Sequence, residues 1–303
     1  MKNTLIVVPG PTGVGKTSAS VGLAEHFGCE ILSCDSRQFY REMVIGTAAP
    51  DLQQLERVKH HFVRFLSVTD YYSASLYERD VLCLLPSLFK KNPVAVMTGG
   101  SMLYMDAVCR GIDDIPDTDP AVRRKYIEKY AAEGVEGLRL ALKLLDPVHY
   151  SKVDLRNPRR LMRALEITES TGKPYSSFLT SPKRNREFTI IKAGLSRDRD
   201  DLYSRINARV ESMIGSGLEE EARSLLGYRE LNALNTVGYR EMFSFFDGLV
   251  SFEQAVDLIK RNTRRYAAKQ IKWWSKDPEI KWFDAGQPDN LRRWLDEELS
   301  ESH

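Results

Sequence analysis

No stretch of this 303-residue chain approaches the roughly 18 consecutive apolar residues that a membrane-spanning helix requires. The apolar run from Leu5 to Val8 is too brief for a signal-peptide core. The chain is therefore expected in the cytoplasm with no membrane partner, and Leu5 to Val8 reads as a buried first strand. Cysteine is scarce. Cys29, Cys34, Cys83 and Cys109 form no CxxC pair and no metal-like spacing with histidine, which argues against a disulfide framework and for reduced thiols. Neither sign of charge dominates: 44 Lys and Arg stand against 42 Asp and Glu. No global field draws the chain to polyanions, and any nucleic-acid surface must come from local clusters. No internal repeat or low-complexity tract interrupts it. What remains is an ordinary globular composition, long enough for one large domain or a core domain with an insertion.

Over the first hundred residues, short β-rich runs alternate with helical patterns, as in a parallel sheet covered by helices. Candidate strands are Thr4 to Val8, Glu30 to Ser33 and Val94 to Thr98. After Gly111 the acidic, proline-bearing "DDIPDTDP" reads as a connector, and the chain beyond it turns helical. Asp119 and Pro120 make an N-cap and first-turn pair, and Gly172 closes the helix containing "RRLMRALEITEST". The strand-like "EFTIIKAGL" then resumes the sheet, followed by a helix with Leu202, Ile206, Val210 and Met213 on one face. From Ser251 a long helix opens with a capping box, Ser251 and Gln254. Its inner stripe is Val256, Ile259, Thr263, Tyr266, Gln270 and Trp273; its outer stripe is Arg261, Arg265, Lys269, Lys272 and Lys276. The expected architecture is an α/β, P-loop NTPase-like core in two parts, 1–113 and 183–303, with a mainly helical insertion at 114–182.

Chemistry starts at "GPTGVGKT". Gly10, Pro11, Thr12, Gly13, Val14, Gly15, Lys16 and Thr17 fit GxxxxGK[ST], directly after an apolar strand and before the helical "SASVGLAEHF". Loop N–H groups and the helix N-terminus cradle phosphate oxygens, Lys16 neutralises their charge, and the Thr17 hydroxyl can ligate Mg²⁺. The motif specifies a polyphosphate with its metal and does not read an adenine, although it is the usual mark of an ATP site. Asp35 ends the strand-like "EILSCDS" and is open to three readings: a metal-linked carboxylate, a general base, or the N-cap of "SRQFY".

Seven blocks extend the pattern. "DSRQFYREMVIGTAAP" (35–50), "KHHF" (59–62), "YYSASLYERD" (71–80), "GGSMLYMDAVCRGI" (99–112), "NPRRLMRALEITESTGKP" (157–174), "VGYREM" (237–242) and "TRRYAAKQIKWW" (263–274) resemble, in order, the sequence blocks of the bacterial tRNA dimethylallyltransferases, also called tRNA isopentenyltransferases. The resemblance covers nearly the whole chain. It implies transfer of a dimethylallyl group from dimethylallyl diphosphate to N6 of adenosine 37, next to the anticodon, in tRNAs reading codons that begin with U. The implied partners are the tRNA anticodon stem-loop and the prenyl donor, the cofactor Mg²⁺, and the enzyme a monomer. A P-loop kinase and an RNA-stimulated NTPase are the rival readings.

The resemblance also implies roles. Asp35 accepts the N6 proton as general base. Lys16, the loop N–H groups and a Thr17-bound Mg²⁺ stabilise the departing diphosphate. Ser101, where the family usually has Thr, offers a hydroxyl to the leaving oxygen. The adenine is extruded from its stack into a channel, facing Asp35, Ser36, Arg37 and Gln38. Arg159, Arg160, Leu161, Met162 and Arg163 match the family's QRxxR block; Arg159 replaces the usual Gln, and phosphate contact is the role that suits it. Arg261, Arg265 and Lys269 belong to an outer stripe that no acid interrupts, which favours phosphate contact over a merely solvated face. Arg123 and Arg124 read first as a solvated face, with Arg123 retained as a tRNA candidate. Trp273 and Trp274 read as packing rather than base stacking, His60 and His61 as packing rather than metal ligands, and Tyr104 as either channel lining or core.

Overall fold

A computed structural model describes residues 2–113, 115–116, 118–180 and 185–301. In chain order the elements are β1 (Thr4–Pro9), α1 (Lys16–Phe27), β2 (Ile31–Ser33), α2 (Leu52–Arg57), β3 (His60–His61), α3 (Ala74–Phe89), β4 (Val94–Gly99) and α4 (Met102–Arg110). Then come α5 (Pro120–Leu145), α6 (Pro147–Tyr150) and α7 (Pro158–Thr171). Last are β5 (Thr189–Ser196), α8 (Arg199–Gly215), α9 (Leu218–Ser224), α10 (Tyr239–Phe246), α11 (Phe252–Trp274), β6 (Ile280–Asp284) and α12 (Pro288–Glu301). The chain divides into two compact units, Met1–Cys109 with Asn185–His303, and Arg110–Arg184. The expected borders at 114 and 182–183 lie outside the described residues.

In the first unit all six strands run parallel in the order β3-β2-β4-β1-β5-β6. Every residue of β1 and β4 is buried, the near-continuous apolar run expected of parallel strands covered on both faces. One core cluster packs Ile6, Val8, Val96 and Leu195 against α1, α8 and α12; a second packs Leu5, Val7, Ala95 and Met97 against α3 and α4. Because the strands are parallel, the segments after β1, β2 and β4 leave the sheet at the same edge, where open α/β sheets bind ligands. The ends of β2 and β4 approach so closely that a Cβ on Gly99 would lie 1.9 Å from the Cys34 carbonyl oxygen. Only glycine fits there, and the contact lets Ser101 N–H donate to that carbonyl at 3.1 Å.

Sequence patterning does not single out β3 or β6. β3 has two residues, too few to show a period, and β6 is an edge strand with one buried side chain. The inner stripe of α11 needs correction at its C-terminal half. Ala267 and Trp274 are buried there, whereas Trp273 is 43% exposed and its indole N–H donates to Asp106. The stripe follows 256, 259, 263, 267, 270, 274, the 3.6-residue period carried through without slipping a residue. Tyr104 belongs to an aromatic cluster with Phe39 and Tyr77 and donates to the Tyr72 carbonyl, so it is a core residue. His61 pairs with Glu30 at 2.6 Å on the sheet edge.

The second unit is helical. α5 changes course at Gly134, whose φ of 66° breaks the helical path, and its second half packs Leu138 and Leu142 against Leu161, Ala164 and Leu165 of α7. Asn157 caps α7 through Arg160 N–H, and Gly172 ends it in the left-handed conformation. Asp146 is 1% exposed and accepts from His149 N–H, Ser176 N–H and the Ser176 hydroxyl, which ties α6 to the turn after α7. No described helix of either unit is long and apolar enough to cross a membrane.

Candidate active site

A cavity of about 810 Å³ opens in the first unit, walled by the phosphate loop, the 35–38 and 46–49 segments, the Gly100–Ser101 turn, and α8 and α11. Gly13 and Gly15 take φ of 84° and 106°, which L side chains rarely adopt, and α1 starts immediately after them. Lys16 bends back so that Nζ donates to the carbonyls of Gly10 at 2.8 Å and Pro11 at 2.9 Å. Burial pulls its pKa down to about 8, against the opposing pull of the Asp35 carboxylate. Thr17 lines the cavity beside it.

Three arginines brace the loop, two of them from the cavity wall. Arg197 Nε donates to Val14 O at 2.8 Å, Arg205 Nε to Gly13 O at 3.0 Å, and Arg209 reaches Thr12 Oγ1 at 3.4 Å and Thr47 O at 3.2 Å. Arg209 is half-buried, and desolvation lowers its pKa while the Asp35 carboxylate opposes the shift. These residues escaped the sequence reading. Their signal was present, since Arg205 and Arg209 stand four residues apart beside the apolar stripe Leu202, Ile206, Val210, but the helix was read for its apolar face alone. Gln270 was read only as part of a packing stripe. Fully buried, it accepts from Thr12 N–H at 2.9 Å and donates to Gly100 O at 2.8 Å, joining the phosphate loop to the turn after β4.

Opposite the loop, the segment after β2 is held in an open turn. Asp35 Oδ1 accepts from Arg37 N–H at 3.1 Å, and Gln38 N–H donates to Asp35 O. Ser101, expected to offer its hydroxyl to a leaving oxygen, spends it on Ser36: Oγ accepts from Ser36 N–H at 2.8 Å and donates to Ser36 Oγ at 3.0 Å. Its position is fixed because the Gly99 contact delivers it to the 35–38 turn. Gln38 donates its amide to the Thr47 and Ala48 carbonyls, and its oxygen has no partner among the described residues; Arg37 donates to Asn232 O. The structure thus gathers Thr12, Gly13, Gly15, Lys16, Thr17, Asp35, Ser36, Arg37, Gln38 and Ser101 around one cavity. Gly10, Pro11 and Val14 support the loop from behind it.

The remaining candidates lie elsewhere. Arg261, Arg265 and Lys269 are exposed along α11, and among the described residues they have no carboxylate partner. In the second unit Arg123, Arg159 and Arg160 are exposed, and Arg163 donates to Thr118 Oγ1 at 3.3 Å with Glu166 at 3.9 Å. Burial raises the pKa of Glu166, and both Arg123 and Arg163 oppose that shift. Leu161 is fully buried between α5 and α7. Its side chain serves the core and is unavailable to RNA, a correction that follows from its position on the inner face of α7; Met162 packs partly against the same core.

Comparison with known proteins agrees with this geometry. A family model described as IPP transferase matches residues 38–277. The chain is 52% identical over 292 residues to tRNA dimethylallyltransferase 1 of Bacteroides fragilis, covering 96% of this chain and 97% of that one. A solved tRNA isopentenylpyrophosphate transferase from Bacillus halodurans superposes with a TM-score of 0.71 at 32% identity, covering 99% and 98% of the two chains. A eukaryotic dimethylallyltransferase solved acting on tRNA gives a TM-score of 0.76 at 25% identity, over 93% of this chain and 74% of that one. With a family match over most of its length and a half-identical relative covering nearly all of it, the chain belongs to the IPP transferase family.

Proposed function

We propose that this enzyme transfers the dimethylallyl group of dimethylallyl diphosphate to N6 of the tRNA adenosine next to the anticodon, giving N6-isopentenyladenosine and releasing diphosphate. The observation that carries the reading is that one cavity holds a phosphate cradle on one wall and the Asp35 carboxylate on another. An exocyclic adenine amine is a weak nucleophile because its lone pair is delocalised into the ring. Asp35 accepts the N6 proton as the new N–C bond forms. The C–O bond to the diphosphate breaks, and the electron pair leaves with an oxygen held by the loop N–H groups, Lys16 and Arg209.

For the negative charge to be met, Lys16 exchanges its bonds to the Gly10 and Pro11 carbonyls for phosphate oxygens. The Thr17 hydroxyl and the diphosphate oxygens form a hard donor set suited to Mg²⁺, which would supply further charge stabilisation. Ser101 acts by fixing Ser36 and so the 35–38 turn, with Gln38 presenting its side-chain oxygen to the extruded base. The α11 stripe and the arginines of the second unit, Arg123, Arg159, Arg160 and Arg163, contact tRNA phosphates. The reading makes the protein a cytoplasmic monomer that prefers tRNAs decoding U-initial codons.

The test is direct. Purified protein, Mg²⁺, dimethylallyl diphosphate and an unmodified anticodon stem-loop should release diphosphate and add one dimethylallyl group to the RNA by mass. No mass gain on RNA, with phosphoryl transfer or hydrolysis of ATP instead, would replace the proposal with a kinase or NTPase reading.

A further inference from the structure

One wall of the cavity is a loop bonded within itself, Ala48 N–H to Ile45 O at 2.9 Å and Ala49 N–H to Val44 O at 3.1 Å, and gripped from outside at its first three amides. In the 44–48 segment the three amides of Val44, Ile45 and Gly46 point the same way, and Ala48 takes a φ of 44°, a left-handed conformation that costs a non-glycine residue energy. All three amides are collected by one carboxylate from α9. Glu221 Oε2 accepts from Val44 N–H and Ile45 N–H at 2.8 Å each, and Oε1 accepts from Gly46 N–H at 2.9 Å. Its last strong acceptor position is filled by Oη of the fully buried Tyr239, which donates to Oε1 at 2.7 Å from the first turn of α10. The Tyr239 ring lies so close beneath the loop that a Cβ on Gly46 would come within 2.7 Å of it.

Neither Glu221 nor Tyr239 lines the cavity, yet the loop they hold carries the carbonyls that orient residues that do. Thr47 O and Ala48 O accept both protons of the Gln38 amide, and Thr47 O also accepts from Arg209. A single loop therefore sets Gln38 on the base side and Arg209 on the diphosphate side. We propose that Glu221 and Tyr239 form a positioning clamp for the transfer reaction, acting through the 44–48 loop on Gln38 and Arg209. The proposal rests on the transferase reading above.

A glutamine at 221 keeps the volume but offers one acceptor oxygen in place of two, so at least one loop amide loses its partner. Glu221→Gln should lower kcat/KM for prenyl transfer on the order of 10- to 100-fold, the scale of a misplaced reacting group, while the global melting midpoint falls by only a few degrees, the scale of one unpaired amide. Hydrogen exchange at the amides of residues 44–46 should accelerate in the same variant. Tyr239→Phe, which removes one donor and keeps the ring, should show both effects more weakly; it decides the matter if Glu221→Gln fails to fold. In a Gln38→Ala background the effect of Glu221→Gln should shrink to the part transmitted through Arg209, because coupled residues are not additive. Full additivity, or unchanged activity in an active wild type, overturns the clamp while leaving the transferase reading intact. A wild type without transferase activity overturns both, and the exchange data then report only whether Glu221 holds the loop.

Discussion

Around the phosphate loop the cations are committed to protein oxygens, whereas those of the α11 outer stripe have no carboxylate partner among the described residues. Lys16 holds Gly10 and Pro11, Arg197 holds Val14, Arg205 holds Gly13, and Arg209 spans Thr12 and Thr47. Arg261, Arg265 and Lys269 stand exposed. The difference reflects what each set must meet. On the transferase reading, a small diphosphate is stabilised by donors held close to place before it arrives, with Lys16 exchanging its carbonyl bonds for phosphate oxygens, since a low local dielectric strengthens each contact. A long polyanion is held by many screened contacts whose individual geometry matters little. The first set should govern turnover and the second affinity and its salt dependence.

The largest break in that comparison should come from Asp35→Asn, which keeps the bond from Arg37 N–H but removes the proton acceptor. A fall in kcat of about 10²- to 10⁴-fold with tRNA affinity unchanged is expected from single-turnover assays and filter binding; a matching loss of affinity would make Asp35 a recognition residue. Arg209→Ala comes next. It removes a half-buried cation of the cavity wall and its bonds to Thr12 and Thr47, so kcat should drop by roughly 10²-fold, the scale of losing one oxyanion donor, at any salt concentration. Replacing Arg261 and Arg265 together should leave kcat at saturating tRNA intact and weaken binding. The slope of log affinity against log salt should flatten by about 1.4 to 1.8, two phosphate contacts. An unchanged slope would return the stripe to an ordinary solvated face.

Much of this division was readable in the chain itself. The phosphate loop was legible because its chemistry is local: glycines with left-handed backbone, a lysine and a hydroxyl within eight residues, all between a strand and a helix. The α/β class was legible from the alternation of periods. The bracing arginines left only their four-residue spacing beside the apolar stripe of α8, and the Gln270 strut and the employment of Ser101 left nothing, because each depends on a contact between residues far apart in sequence, such as Thr12 with Gln270 or Ser36 with Ser101. Leu161 shows the opposite failure. A motif placed it among RNA-facing residues, and only the packing of α7 against α5 shows that its side chain points into the core.

The smallest expected effect is also the most specific to the closed cradle. Burial lowers the Lys16 pKa to about 8, and a bound diphosphate favours the charged form. Binding then takes up a proton above pH 8, so affinity for inorganic diphosphate should fall by up to about tenfold between pH 8 and 9. Diphosphate titrates in that range too, so the quantity to plot is the ratio of wild-type affinity to that of Lys16→Met, in which the ligand's own titration cancels. Stability should move in the other direction. With a folded pKa depressed from 10.5, the unfolded chain binds more protons than the folded one between about pH 8 and 10.5. The Lys16 contribution to stability therefore rises with pH across that window and is flat below it. The difference between thermal melts of wild type and Lys16→Met should change over that same interval, with wild type gaining relative to the variant as pH rises. A constant difference between the two would mean that Lys16 keeps an ordinary pKa, and that its bonds to Gly10 and Pro11 are made by an ammonium the site has not desolvated.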